Sequence, residues 1–480
     1  MSAPSPMHRR QVLGLLALVT IAALGLAGNM PGAAAPAPQD NAPFATLSLP
    51  PEALSWSADP ADKPQRHPRL DSTLDALADA AEESVEAALA LARARSLRLS
   101  GDRVHVQVVT HAPGLQGALA AMAMAGGQVT KVGADSALIQ GWLPITALAA
   151  VAAHEDVYLI RRPAQLVLEE NVEAADATTE GLQAINGLAW HAAGHRGAGV
   201  RIAVIDGGFM GYQGLLGVDL PASVTVRNFI DGETDAQVNG TTRHGTACAE
   251  IIYDIAPDAA LYLVKISTNL DLQEAVAWLM STHQVDIIST SYGWYNLTPG
   301  DGTGEFADLV QVARDSGILW VTSAGNDRES HWGGPYYDPN DRDTHYYNAT
   351  QNVNFFGPGD GDLYLIPEGY RLSVFLRWDD WTAVDQDYDL LLLRWSGSAW
   401  SVIARSDDHQ NGGPGQSPTE YVTAVASGSA TGYGFVIARY DSDRAVNLEV
   451  FAPSPGARLD EILHARSLIN LADAPGALTV

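Results

Sequence analysis

Four short, nearly unbroken apolar runs at residues 200–205, 260–266, 287–290 and 318–323 constrain this chain more than any other feature. Runs of that length without alternation are strands buried on both faces, the condition of a parallel sheet with a layer on each side. Helical periodicity fills the gaps between them, over residues 246–255, 272–281 and 306–316. The pattern predicts an α/β unit built on an open parallel sheet with helices on both faces. Ligands of such sheets gather at the carboxyl ends of the strands, so chemistry is expected in the segments just after them.

The flanking sequence has other periods. Arg9 and Arg10 precede an uncharged apolar run over residues 12–27 and a small-residue stretch ending at Ala35. That is the order of a secretory signal, placed at residues 1–35, and its Arg-Arg-Gln-Val-Leu start resembles a twin-arginine signal. An uncleaved anchor is the alternative, although the run is shorter than the about 20 residues a membrane span needs. The mature protein is expected to be secreted, with no membrane span. Residues 36–99 read as a flexible Pro/Ala/Asp lead followed by a helix over 70–97. Residues 100–180 alternate strand, helix, strand, strand, helix, strand, the split pattern of a ferredoxin-like domain, and end in a linker. Residues 181–339 hold the first part of the α/β unit. Residues 340–455 break into short alternating runs separated by Gly, Pro and Asp, which predicts an inserted antiparallel β-sandwich. Residues 456–480 are expected to return to the α/β unit, with a helix over 461–468 and a strand at Leu478, where the sequence stops inside it.

Composition removes several functions. Of 480 residues 28 are basic and 56 acidic, a net charge of −28. The balance argues against nucleic acid, and the only lysines are Lys63, Lys131 and Lys265, so no lysine-rich patch can exist to meet phosphates. The single cysteine, Cys248, excludes an intramolecular disulfide and a cysteine-based structural zinc site. Its position one helical turn after His244 suits a small buried side chain, with a redox-sensitive thiol as the other reading.

Three polar residues follow the apolar runs. Asp206 closes the first and is followed by two glycines, His244 opens the helix after Arg243, and Asn326 ends Thr-Ser-Ala-Gly-Asn. Singly they read as a turn aspartate, a helix-start polar group and a loop amide. Together, one sheet edge would gather an acid, a base and an amide donor, in the Asp-then-His chain order of the subtilisin type of triad. The surrounding blocks are Gly197-Ala-Gly-Val-Arg-Ile-Ala-Val-Ile-Asp206-Gly-Gly, His244-Gly-Thr-Ala-Cys-Ala-Glu-Ile-Ile, Ala256-Pro-Asp, Ser289-Thr-Ser-Tyr-Gly293 and Ser323-Ala-Gly-Asn326. Over about residues 180–335 the chain resembles the subtilisin-like serine proteases, or subtilases, block by block and in their order.

That resemblance implies a serine-type endopeptidase acting on polypeptide substrates. Asp206 and His244 would be catalytic and Asn326 would supply the oxyanion hole. Ser291, Tyr292 and Gly293 would bind the substrate. It also implies that the ferredoxin-like region is a propeptide, an intramolecular inhibitor of the same chain. The family's nucleophile sits in Gly-Thr-Ser at a helix start, and no such motif follows Asn326. Ser417, in Gly-Gln-Ser-Pro-Thr, imitates it inside the sandwich region. The expectation is that the serine lies beyond residue 480 and that this chain alone is inactive. A degenerate subtilase that binds peptides or surfaces is the alternative. A dinucleotide site is rejected because Gly197 and Gly199 precede their strand instead of following it. No cofactor is required by this chemistry. Calcium is an open candidate ligand for Asp385, Asp387 and Asp389 of the acidic insertion, against a reading as solvated turns; an EF-hand is excluded because its sixth-position glycine is missing.

Overall fold

A computed structural model describes residues 44–56, 63, 66–133, 137–168, 180–454 and 458–480. The signal expected at residues 1–35 lies outside them. No helix among the described residues is long and apolar enough to cross a membrane. The chain divides into two compact units, one holding Ala164–Asn326 with Leu468–Val480, the other Asn41–Pro163 with Asp327–Ser467.

The first unit is built on a six-stranded sheet in the order Leu478–Thr479, Leu319–Thr322, Ile287–Thr290, Arg201–Asp206, Ala260–Lys265, Thr225–Asn228. Every pairing in it is parallel. Successive residues of one strand feed opposite cores, which is why those runs are apolar throughout. Ala203 and Ile205 pack with the helices Asn269–Trp278 and Glu305–Asp315. Ile202 and Val204 pack with the helix His244–Ile255 on the other side. From the strand Arg201–Asp206 the chain builds outward first to one side and then to the other, so the crevice of the sheet opens at the carboxyl end of that strand.

The second unit contains two antiparallel four-stranded sheets. One orders His331–Pro335, Asn447–Phe451, Arg371–Trp378, Thr419–Val425; the other orders Asn354–Phe355, Tyr433–Asp441, Asp387–Trp395, Trp400–Ser406. Their facing residues, Leu372, Val374 and Leu376 on one and Leu390, Leu392, Phe435 and Ile437 on the other, form one core. His331–Pro335 pairs with Asn447–Phe451, so the sandwich begins before the boundary at residue 340 that composition suggests. The same unit holds an antiparallel sheet ordered Leu159–Arg161, Arg103–Val109, Leu138–Pro144, Gln128–Val132. Its apolar face, with Val104, Val106 and Val108, packs against the helices Ser72–Glu83, Val85–Ala94 and Leu115–Met124.

Three expectations need correction. The helix anticipated over 70–97 is two helices, because Ser84 takes an extended backbone and caps the second by accepting the Ala87 N–H at 3.0 Å. The lead over 36–65 is ordered where it is described. Ala45–Ser48 pairs antiparallel with Asp362–Leu365, and Leu49, Ala53, Leu54 and Trp56 pack on Leu391, Leu393 and Trp395 of the sandwich. Lacking any period, those apolar residues give no helix or strand signal; a distant sheet face organises them. Finally, no helix forms over residues 461–468. The backbone there is tied to a strand instead, with Leu463 N–H donating to the His331 carbonyl at 2.8 Å.

Candidate active site

Sheet register sets the site. Ile205 pairs with Thr290, and Thr290 with Thr322, so Asp206, Ser291 and Ser323 follow at one level on the same edge. Asp206 is fully buried. Its Oδ1 accepts the Gly207 N–H at 2.8 Å and the Gly208 N–H at 3.4 Å, and its Oδ2 lies 2.7 Å from His244 Nδ1. Burial raises the Asp206 carboxyl above its ordinary value, opposed by the His244 hydrogen bond and charge and by the two glycine N–H groups. With a carboxylate at Nδ1, the favoured tautomer carries its proton there, and Nε2 is the basic nitrogen.

Local chemistry brings the two side chains together. Thr242 Oγ1 accepts the His244 N–H at 3.0 Å, fixing the helix start. Gly245 is needed at the next position: a Cβ there would lie 2.7 Å from Asp206 Cβ and 2.7 Å from the Gly208 carbonyl oxygen. The helix end thus abuts the strand end backbone to backbone, leaving His244 a short reach to Asp206. Thr242 and Gly245 were not singled out in the sequence, where His-Gly-Thr was the only local signal.

Asn326 is exposed and ends the loop leaving the strand Leu319–Thr322, three residues past the level of Asp206. Tyr292 and Gly293 form a short strand, but the Tyr292 ring is fully buried, edge-on to Trp294 at 5.5 Å. Of Tyr292, therefore, the backbone faces a partner and the side chain serves the core. Ser291 hydrogen-bonds the Cys248 thiol, which burial, its largest influence, and the Asp206 charge push up to about 12. A thiol held protonated in that way is neither a nucleophile nor a redox sensor at neutral pH.

The partner of Tyr292–Gly293 was not anticipated. Val167–Leu168 pairs with it antiparallel, Leu168 opposite Tyr292 and Val167 opposite Gly293. Just upstream, Leu166 N–H donates to the Ser267 carbonyl at 2.9 Å and Gln165 bridges Thr268. Residues 164–168 therefore run as an extended strand between two walls of the first unit. Their alternation is too short to register as a strand in the sequence.

The insertion's three carboxylates do not gather. Asp387 and Asp389 alternate onto one buried face of the strand Asp387–Trp395, whereas Asp385 is exposed and accepts from Gln386 Nε2 at 2.8 Å. Among the described residues, the groups of three or more side chains close enough to share a metal are Asp206–His244–Cys248 and His67–Asp79–Glu82. The first is committed to its Asp–His contact and holds a protonated thiol; in the second, Arg66 pairs with both carboxylates. Ser417 heads the strand Thr419–Val425, its hydroxyl 2.9 Å from Thr419 Oγ1, and no helix starts there.

Comparison with known proteins finds relatives of the first unit. Residues 197–363 match the sequence model of the Subtilase family of peptidases. Over that segment the chain is similar to the subtilases. Subtilisin E of Bacillus subtilis (strain 168) is 30% identical over 169 residues, 33% of this chain and 42% of its own length. Subtilisin of Bacillus pumilus is 30% identical over 167 residues, 32% of this chain and 58% of its own. The chain thus spans less than two thirds of these relatives. Among solved structures, the CspB protease of Clostridium perfringens is 11% identical, covering 61% of this chain and 71% of its own, with a TM-score of 0.34. Fervidolysin from Fervidobacterium pennivorans is 15% identical, covering 48% of this chain and 41% of its own, with a TM-score of 0.29.

Proposed function

We propose that this protein is a secreted serine endopeptidase that hydrolyses peptide bonds through an acyl-enzyme. The observation that carries the reading is the 2.7 Å contact of Asp206 Oδ2 with His244 Nδ1, made where the crevice of a parallel sheet opens. In this mechanism His244 Nε2 takes the proton of an attacking serine hydroxyl and later passes it to the leaving amine. Asp206 keeps the ring oriented and stabilises the imidazolium. Asn326 donates its amide to the oxyanion, a contribution of about 2.7–4 kcal/mol where such a donor has been removed. Ser291, Tyr292 and Gly293 bind the substrate by adding it as a strand.

The nucleophile in this reading is a serine C-terminal to residue 480, because no Gly-Thr-Ser follows Asn326 and Ser417 opens a sandwich strand. Residues 164–168 are the tail of an N-terminal propeptide that inhibits its own chain. Support comes from their antiparallel pairing with Tyr292–Gly293, the edge assigned to substrate. Cleavage downstream of Leu168, followed by release, frees that edge. Export through residues 1–35 completes the proposal. A non-catalytic subtilase that retains the peptide edge is the second reading, favoured by the missing Gly-Thr-Ser motif alone.

The test is labelling of the full gene product with a fluorophosphonate, followed by peptide mapping. A labelled serine outside residues 1–480, with labelling and peptidase turnover lost in His244→Ala, is expected. Label on Ser417, or unchanged turnover in His244→Ala, overturns the assignment. No label and no turnover, with peptides still bound, gives the protein to the second reading.

A further inference from the structure

Lys63 is one of three lysines in the chain, and the sandwich region has none. Its side chain is 1% exposed. Nζ lies 2.5 Å from Asp387 Oδ1, 2.9 Å from Asp389 Oδ1 and 2.6 Å from the Asp408 carbonyl oxygen. Alternation along Asp387–Trp395 places both carboxylates on the face that Leu391 and Leu393 share, away from the sandwich core. The N-terminal residues cover the apolar half of that face, and Lys63 covers the acidic half. Glu420 lies behind, fully buried and bonded to Gln410 Nε2 at 3.0 Å.

Burying carboxylates on a sheet face gains little over apolar residues of the same size, so their presence asks for a cation. The ammonium demonstrates that the cage accepts one. Its donors are all oxygens, two carboxylates and a carbonyl, the set that hard divalent cations take. The nearest nitrogen base, His409 Nδ1, stands 3.9 Å from the far oxygen of Asp387. Asp389 Oδ1, buried, makes its ion contact with Nζ but no hydrogen bond of good geometry. One ammonium faces two buried carboxylates, so the cage holds more acid than a single positive charge balances.

We propose that Asp387, Asp389 and the Asp408 carbonyl form a calcium-class cation site that Lys63 plugs, so that withdrawal of the N-terminal segment exchanges an ammonium for a divalent ion. The site stands on its own geometry, whereas the exchange rests on the propeptide being removed as proposed above. The sandwich would then be stabilised by calcium only after processing, which ties its final folding to activation.

The experiment is calorimetric titration of calcium chloride into chelator-stripped full-length protein, with melting curves in parallel. Wild type is expected to show no site that depends on Asp387 or Asp389. Lys63→Met, and Lys63→Gln as a second variant should the first misfold, should gain one site per chain with a Kd in about the 10⁻⁴–10⁻³ M range of extracellular modules, and a raised Tm. Adding Asp389→Asn should abolish the gain. No gain in either variant, or a gain that survives Asp389→Asn, overturns the site. Processed wild-type protein should bind the same ion without substitution. Failure there, with success in the variants, removes the exchange and leaves the site.

Discussion

Asp71 has two duties in the second unit, and they can be separated. Its Oδ1 caps the helix Ser72–Glu83 by accepting the Leu74 N–H at 2.8 Å. Its Oδ2 accepts the Arg162 backbone N–H at 2.6 Å and Arg162 Nε at 3.0 Å. The Asp71 side chain is 4% exposed and that of Arg162 12%, so the pair is largely desolvated. Losing an N-cap costs about 1 kcal/mol. Breaking a buried pair from one side costs about 3–5 kcal/mol, because the remaining charge stays buried. The low end applies here, since Asp408 and the Tyr421 carbonyl and ring still attend the guanidinium. Relief of Asp408, raised to about 6 by burial and then by the Asp71 charge, offsets a further part. Asp71→Ala should therefore cost about 4 kcal/mol, and Asp71→Asn, which keeps the cap, about 2–3 kcal/mol. Amide hydrogen exchange across the helix Ser72–Glu83 reads this directly. At about 1.36 kcal/mol per decade, exchange should accelerate close to a thousandfold in the alanine variant and about a hundredfold in the asparagine variant. Equal acceleration in the two, or less than about tenfold in Asp71→Ala, would refute the division of labour.

Two further outcomes follow from the structure. His345 is fully buried and burial lowers it to about 3, so the folded state holds it neutral while the unfolded chain protonates it below about 6.5. Its contribution is present above pH 6.5 and drains as pH falls towards 3, at about 1.4 kcal/mol per pH unit; His345→Gln should remove that slope from acid-unfolding curves, and an unchanged slope would contradict it. At Gly293 an added Cβ would lie 2.5 Å from Ile469 Cδ1 and 2.8 Å from its Cβ. Gly293→Ala should destabilise the first unit by about 1–3 kcal/mol and weaken peptide binding, with Ile469→Ala restoring part of both in the double variant; a double variant no better than the single one would show that the crowding lies elsewhere.

Legibility followed the range of the interactions involved. Asp206 and Asn326 could be picked out because each sits just past a strand whose apolar run is readable, and His244 because it opens a helix in a recognisable His-Gly-Thr block. Cys248 was legible as a neighbour of the base because the helix period sets it one turn from His244, although the residue is half-buried. The lead was misread for the opposite reason. Leu49, Ala53, Leu54 and Trp56 carry no period of their own, and only the exposed apolar face of a distant sheet gives them a position. The Asp385–Asp389 cluster was only partly legible, because adjacency in sequence is not adjacency on a strand. Alternation sends Asp387 and Asp389 together and leaves Asp385 outside.

The sequence alone determined the parallel sheet, the residues at its carboxyl edge and the sandwich character of the insertion. These depend on local period and on turn residues, which act over a few positions. Tertiary structure decided which segment lies along Tyr292–Gly293, what seals the outer face of Asp387–Trp395, and that a lysine from the lead enters an acidic cage. Those choices turn on strand register and on the desolvation of charges far apart in the chain, quantities that exist only once the surfaces have met.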